Sequence, residues 1–170
     1  MPIIHSTSYG PAIRSALISA KKHIYICTYV TVLNFKKKND LIHILFIILQ
    51  QKLTQGVDVR FIIDHPRVHK TNYHATQFLI RRLKTWRFPF WIAPKRNTCH
   101  AKVVLIDDKA VFIGSHNLAK SSFQNPLELS VEISDGSTCA GIDVWFNQMF
   151  SNPDFTYYPP GNYIISDIYP

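Results

Sequence analysis

A chain of 170 residues can bury one substantial core and is too short for two ordinary domains. With 46% hydrophobic residues and a mean hydropathy of −0.02, it reads as a globular chain, which excludes a disordered polyelectrolyte. The formal net charge of +8 points to a polyanionic partner, either nucleic acid or an anionic membrane surface.

Residues 1–4 are expected to form a short edge strand. Ile13, Ala16, Leu17 and Ala20 recur at helical spacing and predict a first helix over residues 6–22, capped by Ser6 or Ser8, with Pro11 in its first turn. Residues 23–32 form a continuous apolar run, as expected of a strand buried on both faces. The basic loop at 34–40 carries Lys36, Lys37 and Lys38, either a solvated charge run or contacts to a substrate's phosphate backbone. Asn39 or Asp40 should cap a helix that runs to Thr54 and ends at Gly56. That helix is apolar nearly all round. Leu41, Leu45, Ile48 and Leu49 form one face, and Ile42, Phe46 and Ile47 another. The second face is covered either by the same chain or by a partner subunit.

Residues 57–64 read as the next strand, and the strand–helix–strand order implies a parallel pair with a right-handed crossover. The loop after it, with His65, Arg67 and His69, lies at the strand's carboxyl end, where open α/β sheets place ligands. No carboxylate or cysteine completes a metal set with the two histidines, so no metal is expected. A helix over 71–86 should point Ala75, Phe78, Leu79 and Leu83 inward and Arg81, Arg82 and Lys84 outward. A short strand at 88–92 follows. Lys95 and Arg96 then lead toward residue 100 and, with Arg67, are candidates for substrate-backbone contacts. The last helix begins at Ser137, with Ile142, Trp145, Phe146, Met149 and Phe150 as a core stripe. Residues 1–150 read as one catalytic domain. Residues 151–170, rich in Tyr and Pro, read as a tail lying on that domain or on a partner.

The three cysteines, Cys27, Cys99 and Cys139, are odd in number and form no Cys-x-x-Cys, so neither a disulfide framework nor a zinc site is expected. The first fourteen residues lack the charged start and long apolar run of a signal peptide, and the longest apolar run, 44–49, is far too short to span a bilayer. The expected location is the cytoplasm.

The chemistry concentrates between His100 and Glu128. Residues 101–106 are dense in β-branched and apolar side chains and predict a strand. Alternation places His100, Lys102 and Val104 on one face, with His100 and Lys102 roughly 7 Å apart along the strand, and turns Cys99 to the other face as packing. Asp107, Asp108 and Lys109 form a turn, and residues 110–113 a second strand, the hairpin partner of the first. Pairing brings Ser115 and Asn117 beside His100 and Lys102. Such a set suits a phosphate. Lys102 neutralises its oxygens, Ser115 and Asn117 donate hydrogen bonds, and His100 does the proton or covalent work. Glu128, near the start of a third strand at 127–133, could fix the His100 tautomer. Asp107 faces away from His100 by alternation and has a turn-fixing role.

His100-x-Lys102-x4-Asp107-x6-Gly114-Ser115-x-Asn117 resembles the HKD signature of the phospholipase D superfamily. The resemblance covers about residues 3–150. A single copy of the motif is similar to the small bacterial nucleases of that superfamily rather than to its two-motif phospholipases. It implies an α/β fold with a mixed, mostly parallel central sheet flanked by helices on both faces. It also implies phosphodiester hydrolysis with no cofactor and no obligatory metal. One histidine cannot occupy both sides of a phosphorus, so the resemblance implies a homodimer with a composite site. His100 of one subunit would form a phosphohistidine, and His100 of the other would act as general acid and then as base. Both Lys102 and both Asn117 would hold the non-bridging oxygens, assisted by Ser115, with Glu128 accepting from His100. The expected activity is that of a nuclease, on DNA ahead of RNA. The alternatives are a phospholipid or cardiolipin phosphodiesterase docking through the helix at 41–49 or the Tyr-rich tail, the catalytic subunit of a restriction-type enzyme with recognition supplied elsewhere, and a non-catalytic nucleic-acid-binding module.

Overall fold

The structure, a computed structural model, describes residues 2–33, 40–67 and 72–161. The first half of the chain alternates strand and helix: β1 (Ile3–His5), α1 (Ser6–Ser19), β2 (His23–Thr28), α2 (Leu41–Thr54), β3 (Asp58–Ile63), α3 (Tyr73–Thr85) and β4 (Phe90–Ile92). The second half is richer in strands: β5 (Val103–Ile106), β6 (Ala110–Gly114), α4 (Lys120–Gln124), β7 (Leu129–Ile133), α5 (Gly136–Phe150) and β8 (Thr156–Tyr158). The eight strands of the described residues join one sheet in the order β1-β7-β6-β5-β2-β3-β4-β8.

Strand alternation divides the core into two layers. Ile24 and Ile26 of β2, Val59, Phe61 and Ile63 of β3, and Val104 and Ile106 of β5 pack with residues of α1, α2, α3 and α4. Tyr25 and Cys27 of β2, Ile62 of β3, and Val103 and Leu105 of β5 pack with Cys139 and Phe146 of α5. Helices therefore cover both faces, as expected. The sheet is mixed, but not mostly parallel. Among the strands of the described residues only β2–β3 and β3–β4 pair in parallel, each across a helical crossover. The β5–β6 and β6–β7 connections bring each strand back beside its neighbour in the opposite sense, so these pairs are antiparallel, as are β1–β7, β2–β5 and β4–β8.

Several local expectations change. His5, not Ser6 or Ser8, is the N-cap of α1 and makes no side-chain cap bond, because β1 feeds directly into the helix. Pro11 thus sits one turn further in than expected. Asp40 does cap α2, its Oδ1 accepting from Ile42 N at 2.9 Å, and Gly56 follows the helix at φ 85°. Both apolar faces of α2 are covered by the chain itself, with Ile42 0% and Phe46 1% exposed, while Ile47 stays at 40%. Lys84 points inward, not outward. It is buried, with its ammonium 4.5 Å from the centre of the Tyr158 ring. Tyr158 arrives there because the start of the tail forms β8 on the β4 edge. Tyr158 stacks on Phe90, and Tyr157 stacks on Trp91. Residues 162–170 of the tail lie outside the described residues, as do Lys36, Lys37 and Lys38.

Candidate active site

The carboxyl ends of β2, β3, β4 and β6 and the amino ends of β5 and β7 share one edge of the sheet. The motif residues collect there. The β5 strand begins at Val103, so His100 and Lys102 lie in the segment leading into it. Their side chains meet, with Lys102 Nζ 3.1 Å from His100 Nδ1 and donating to His100 O at 2.7 Å. Burial holds the Lys102 ammonium below the ordinary lysine range, opposed by the nearby Glu128 charge. His100 is exposed on the surface.

Hairpin pairing brings the Gly114–Asn117 segment alongside, and Gly114 N donates to Lys102 O at 3.3 Å. Gly114 is required sterically, since a Cβ there would collide with Leu129 O and Ser130 Oγ. Asn117 Oδ1 accepts from Val30 N at 3.2 Å, which leaves its amide N–H₂ to face a ligand. Asn117 N donates to Ser122 Oγ at 3.0 Å, and Ser122 Oγ donates to Glu128 Oε1 at 2.9 Å. Asn117 and Glu128 are thus held by one buried serine. Among the described residues Glu128 Oε1 accepts from Ser122, which α4 sets beside it, and makes no hydrogen bond with His100. Ser115 is also engaged differently from expectation. Its Oγ accepts from Leu129 N at 3.0 Å and donates to Leu129 O at 3.3 Å, so it anchors the start of β7, next to Glu128.

Asp107 lies at the far end of the hairpin, away from this edge. It is 2% exposed and has φ 50°. Its carboxylate accepts from the backbone N–H groups of Lys21, Lys22 and His23 at 2.7–3.2 Å. Burial pushes its pKa up, but these donors outweigh that and hold it below the usual aspartate value. It clamps the entry of β2 to the β5–β6 turn and does not touch the reacting group.

Four contributors carry no signal in the sequence. Tyr29, just past β2, lies with its ring 4.4 Å from that of His100 and 5.0 Å from Lys102 Nζ. Asp64 Oδ1 accepts from Cys99 N at 2.9 Å and so supports the residue before His100. Ser122 bridges as described. His116, 2% exposed, stacks on Tyr9 at 4.2 Å and pairs through Nδ1 with Ser130 Oγ at 2.7 Å, which fixes the motif turn on α1. Burial lowers its pKa against the pull of Glu128. Beside the motif opens a cleft of about 420 Å³, lined by Tyr29, Val32, Asn117, Ser122 and Glu128 among others. A second cavity, about 460 Å³, sits around Asp58, Arg60 and Trp91. Its guanidinium is taken by Asp58 at 2.7 Å and by the Tyr25 and Phe150 rings, so it does not compete as the reaction site.

Of the expected backbone contacts, Arg67 and Lys95 are exposed on this edge and both charges act on His65, depressing its pKa together with burial. Arg96 is instead ion-paired with Asp154, which the tail brings to it. Among the described residues no three His, Cys, Asp or Glu side chains are grouped to hold a metal ion.

Comparison with known proteins identifies the family. The "Cardiolipin synthase, PLD-like domain" family matches residues 13–150. The chain belongs to the phospholipase D superfamily. As a phospholipase D-like chain it is an enzyme acting on phosphodiester bonds. Its fold is similar to that of Nuc, a phospholipase D family member from Salmonella typhimurium, with TM-score 0.69 and 21% identity over 93% of this chain and 97% of that one. NucT from Helicobacter pylori gives TM-score 0.65 and 21% identity over 88% and 94%. The phosphatidylserine synthase of Haemophilus influenzae gives 0.66 and 15% identity over 92% of this chain but 39% of that one. Among curated proteins none matches the sequence.

The Ser122 bridge makes a direct prediction. Ser122→Ala strands the Asn117 N–H and one Glu128 oxygen, and is expected to cost about 1–3 kcal/mol of stability. Urea unfolding followed by circular dichroism measures it, and an unchanged midpoint would show that the bridge carries no load.

Proposed function

We propose that this phospholipase D-like protein is a nuclease that hydrolyses nucleic-acid phosphodiester bonds, DNA ahead of RNA, through a phosphohistidine on His100. The observation that carries the reading is the meeting of His100, Lys102 and the Asn117 amide at one exposed edge, with a single motif copy per chain. His100 attacks phosphorus, and the oxygen of the leaving nucleotide departs with a proton from a second imidazole. Water, deprotonated by that second imidazole, then attacks the phosphohistidine and frees His100. Lys102 and Asn117 meet the charge on the non-bridging oxygens. Two Lys102 ammoniums in a pair would supply the charge that a metal supplies in other nucleases, so turnover is expected to persist in EDTA. The exposed Arg67 and Lys95 and the net charge of +8 favour a polyanionic chain as substrate. Three free thiols fit a reducing compartment, and we place the protein in the cytoplasm.

The second imidazole comes from a second copy. Leu127 at 89% and Leu129 at 46% exposure flank Glu128 in the chain, and Val32 at 46% lines the cleft. An isologous pairing over this edge buries them and sets one His100 opposite the other. Leu127→Glu removes that burial in both copies. It is expected to weaken the dimer by about tenfold or more and to reduce turnover in parallel. Sedimentation at graded concentrations measures the first. A variant that stays a monomer at full activity would sink the composite site.

A lipid substrate uses the same chemistry. The α2 helix, one of its two suggested docking elements, has both faces covered within the chain. Incubation in EDTA with duplex DNA, single-stranded DNA, RNA and phospholipid vesicles, each beside the His100→Ala protein, decides the substrate. Lipid turnover with nucleic acid intact would overturn the nuclease reading.

A further inference from the structure

Cys27 lies near the end of β2, and Cys99 immediately precedes His100. Their sulfurs are 3.2 Å apart, both thiols are free, and the pair packs on the α5 side of the sheet. A disulfide requires an approach to about 2.05 Å, so closure needs little more than 1 Å of movement. Cys27 is 1% exposed, while Cys99 is partly open to solvent. The Cys27 thiol beside Cys99 lowers the Cys99 pKa, while that contact and burial raise the Cys27 pKa. By exposure, the Cys99 sulfur is the one a peroxide can reach, and the enclosed Cys27 sulfur is placed to resolve it. Cys139 forms no part of the pair. It is buried on α5, with its thiol directed at Ile133 O.

We propose that Cys27 and Cys99 form a peroxide-responsive thiol pair, whose oxidation to a disulfide displaces His100 and lowers turnover. The Cys99 thiolate attacks a peroxide oxygen. The O–O bond breaks, Cys99 becomes a sulfenic acid, and the departing hydroxide takes a proton to leave as water. The Cys27 thiol then attacks the Cys99 sulfur. The S–S bond forms, the S–O bond breaks, and the hydroxyl leaves with the Cys27 proton as a second water. Two thiols are oxidised and one hydrogen peroxide is reduced. A thiol reductant reverses the step.

The bridge joins both supports of the catalytic ring. Tyr29, packed against the His100 ring, follows Cys27 by two residues, and the Cys99 N–H holds Asp64. Drawing the sulfurs together moves these supports relative to each other. Ångström-scale displacement of a catalytic group costs up to about a hundredfold in rate. The cross-link stands apart from the proposed reaction, and only its effect on turnover rests on that reading.

The test uses the full chain, reduced and then exposed to hydrogen peroxide. Peptide mass mapping is expected to find Cys27 joined to Cys99, with Cys139 still a thiol, and Cys139→Ser should give the same bridge. The His100 ring resonances should shift on oxidation, and nucleic-acid turnover should fall by tenfold or more and return with dithiothreitol. Persistence of the Cys27 and Cys99 thiols, or a bridge through Cys139, would overturn the pair. A bridge with His100 resonances unmoved would overturn the coupling. If neither redox form cuts any substrate, the nuclease reading fails, while the bridge and the His100 resonances still decide this proposal.

Discussion

His100→Ala is expected to lower phosphodiester turnover by about four orders of magnitude or more, since in the proposed mechanism it removes both the nucleophile and the general acid. The fold should survive, because His100 is exposed and the side chains it meets, Tyr29 and Lys102, are themselves only half-buried. The informative experiment mixes this variant with wild-type chains in equal amounts and allows the subunits to exchange. If each site needs one His100 from each copy, only wild-type pairs are active, and random pairing leaves about a quarter of the wild-type rate. If each chain carries its own site, about half remains. A residual rate near half would therefore refute the composite site without disputing that His100 is catalytic. Lys102→Ala in the same assay should cost about a hundredfold or more, because the charge it meets is greatest in the transition state.

The second large effect falls on stability. Asp107→Asn keeps the shape and the tolerance for φ 50°, but removes the charge that three backbone N–H groups converge on. It also turns an amide donor toward one of them. The expected loss is about 2–4 kcal/mol, or about 5–15 °C in Tm for a domain of this size. The pH dependence has a definite sign. Asp107 has a folded-state pKa below its ordinary value of 3.8, so its contribution is complete above about pH 4 and is lost as the pH falls through the folded value. Wild type and variant should therefore converge in acid. Thermal melts from pH 7 to pH 2 measure this, and a gap that stays constant or widens in acid would show that the carboxylate charge is not what holds the turn.

The hairpin half of the site was legible because it is local. Pairing of 103–106 with 110–113 follows from two apolar runs around a polar turn, and it alone sets His100 and Lys102 near Asn117. The β2–β3 crossover was legible for the same reason. The contributions of Tyr29, Asp64 and Cys27 depend on which strand lies beside β5, and no short-range pattern states that β2 does. Ser122 was missed because α4 is five residues long and shows no periodicity. Its hydroxyl takes one of the two Glu128 oxygens. Lys84 was misplaced because helical spacing cannot foresee an aromatic ring arriving from the tail, and Arg96 was assigned to substrate when Asp154 of that tail takes it. The parallel character of the sheet was overestimated because the α/β alternation of the first half does not continue into the second.

The Asp107 clamp also bears on the order in which the molecule folds. It joins backbone groups to a side chain 84 to 86 residues away, so it can form only after a long loop has closed. The β5–β6–β7 meander closes through short turns and can pair early. The motif residues on that meander would then meet one another before β2 brings Tyr29 beneath them. Substitutions at Asp107 should accordingly accelerate unfolding and leave the refolding rate nearly unchanged.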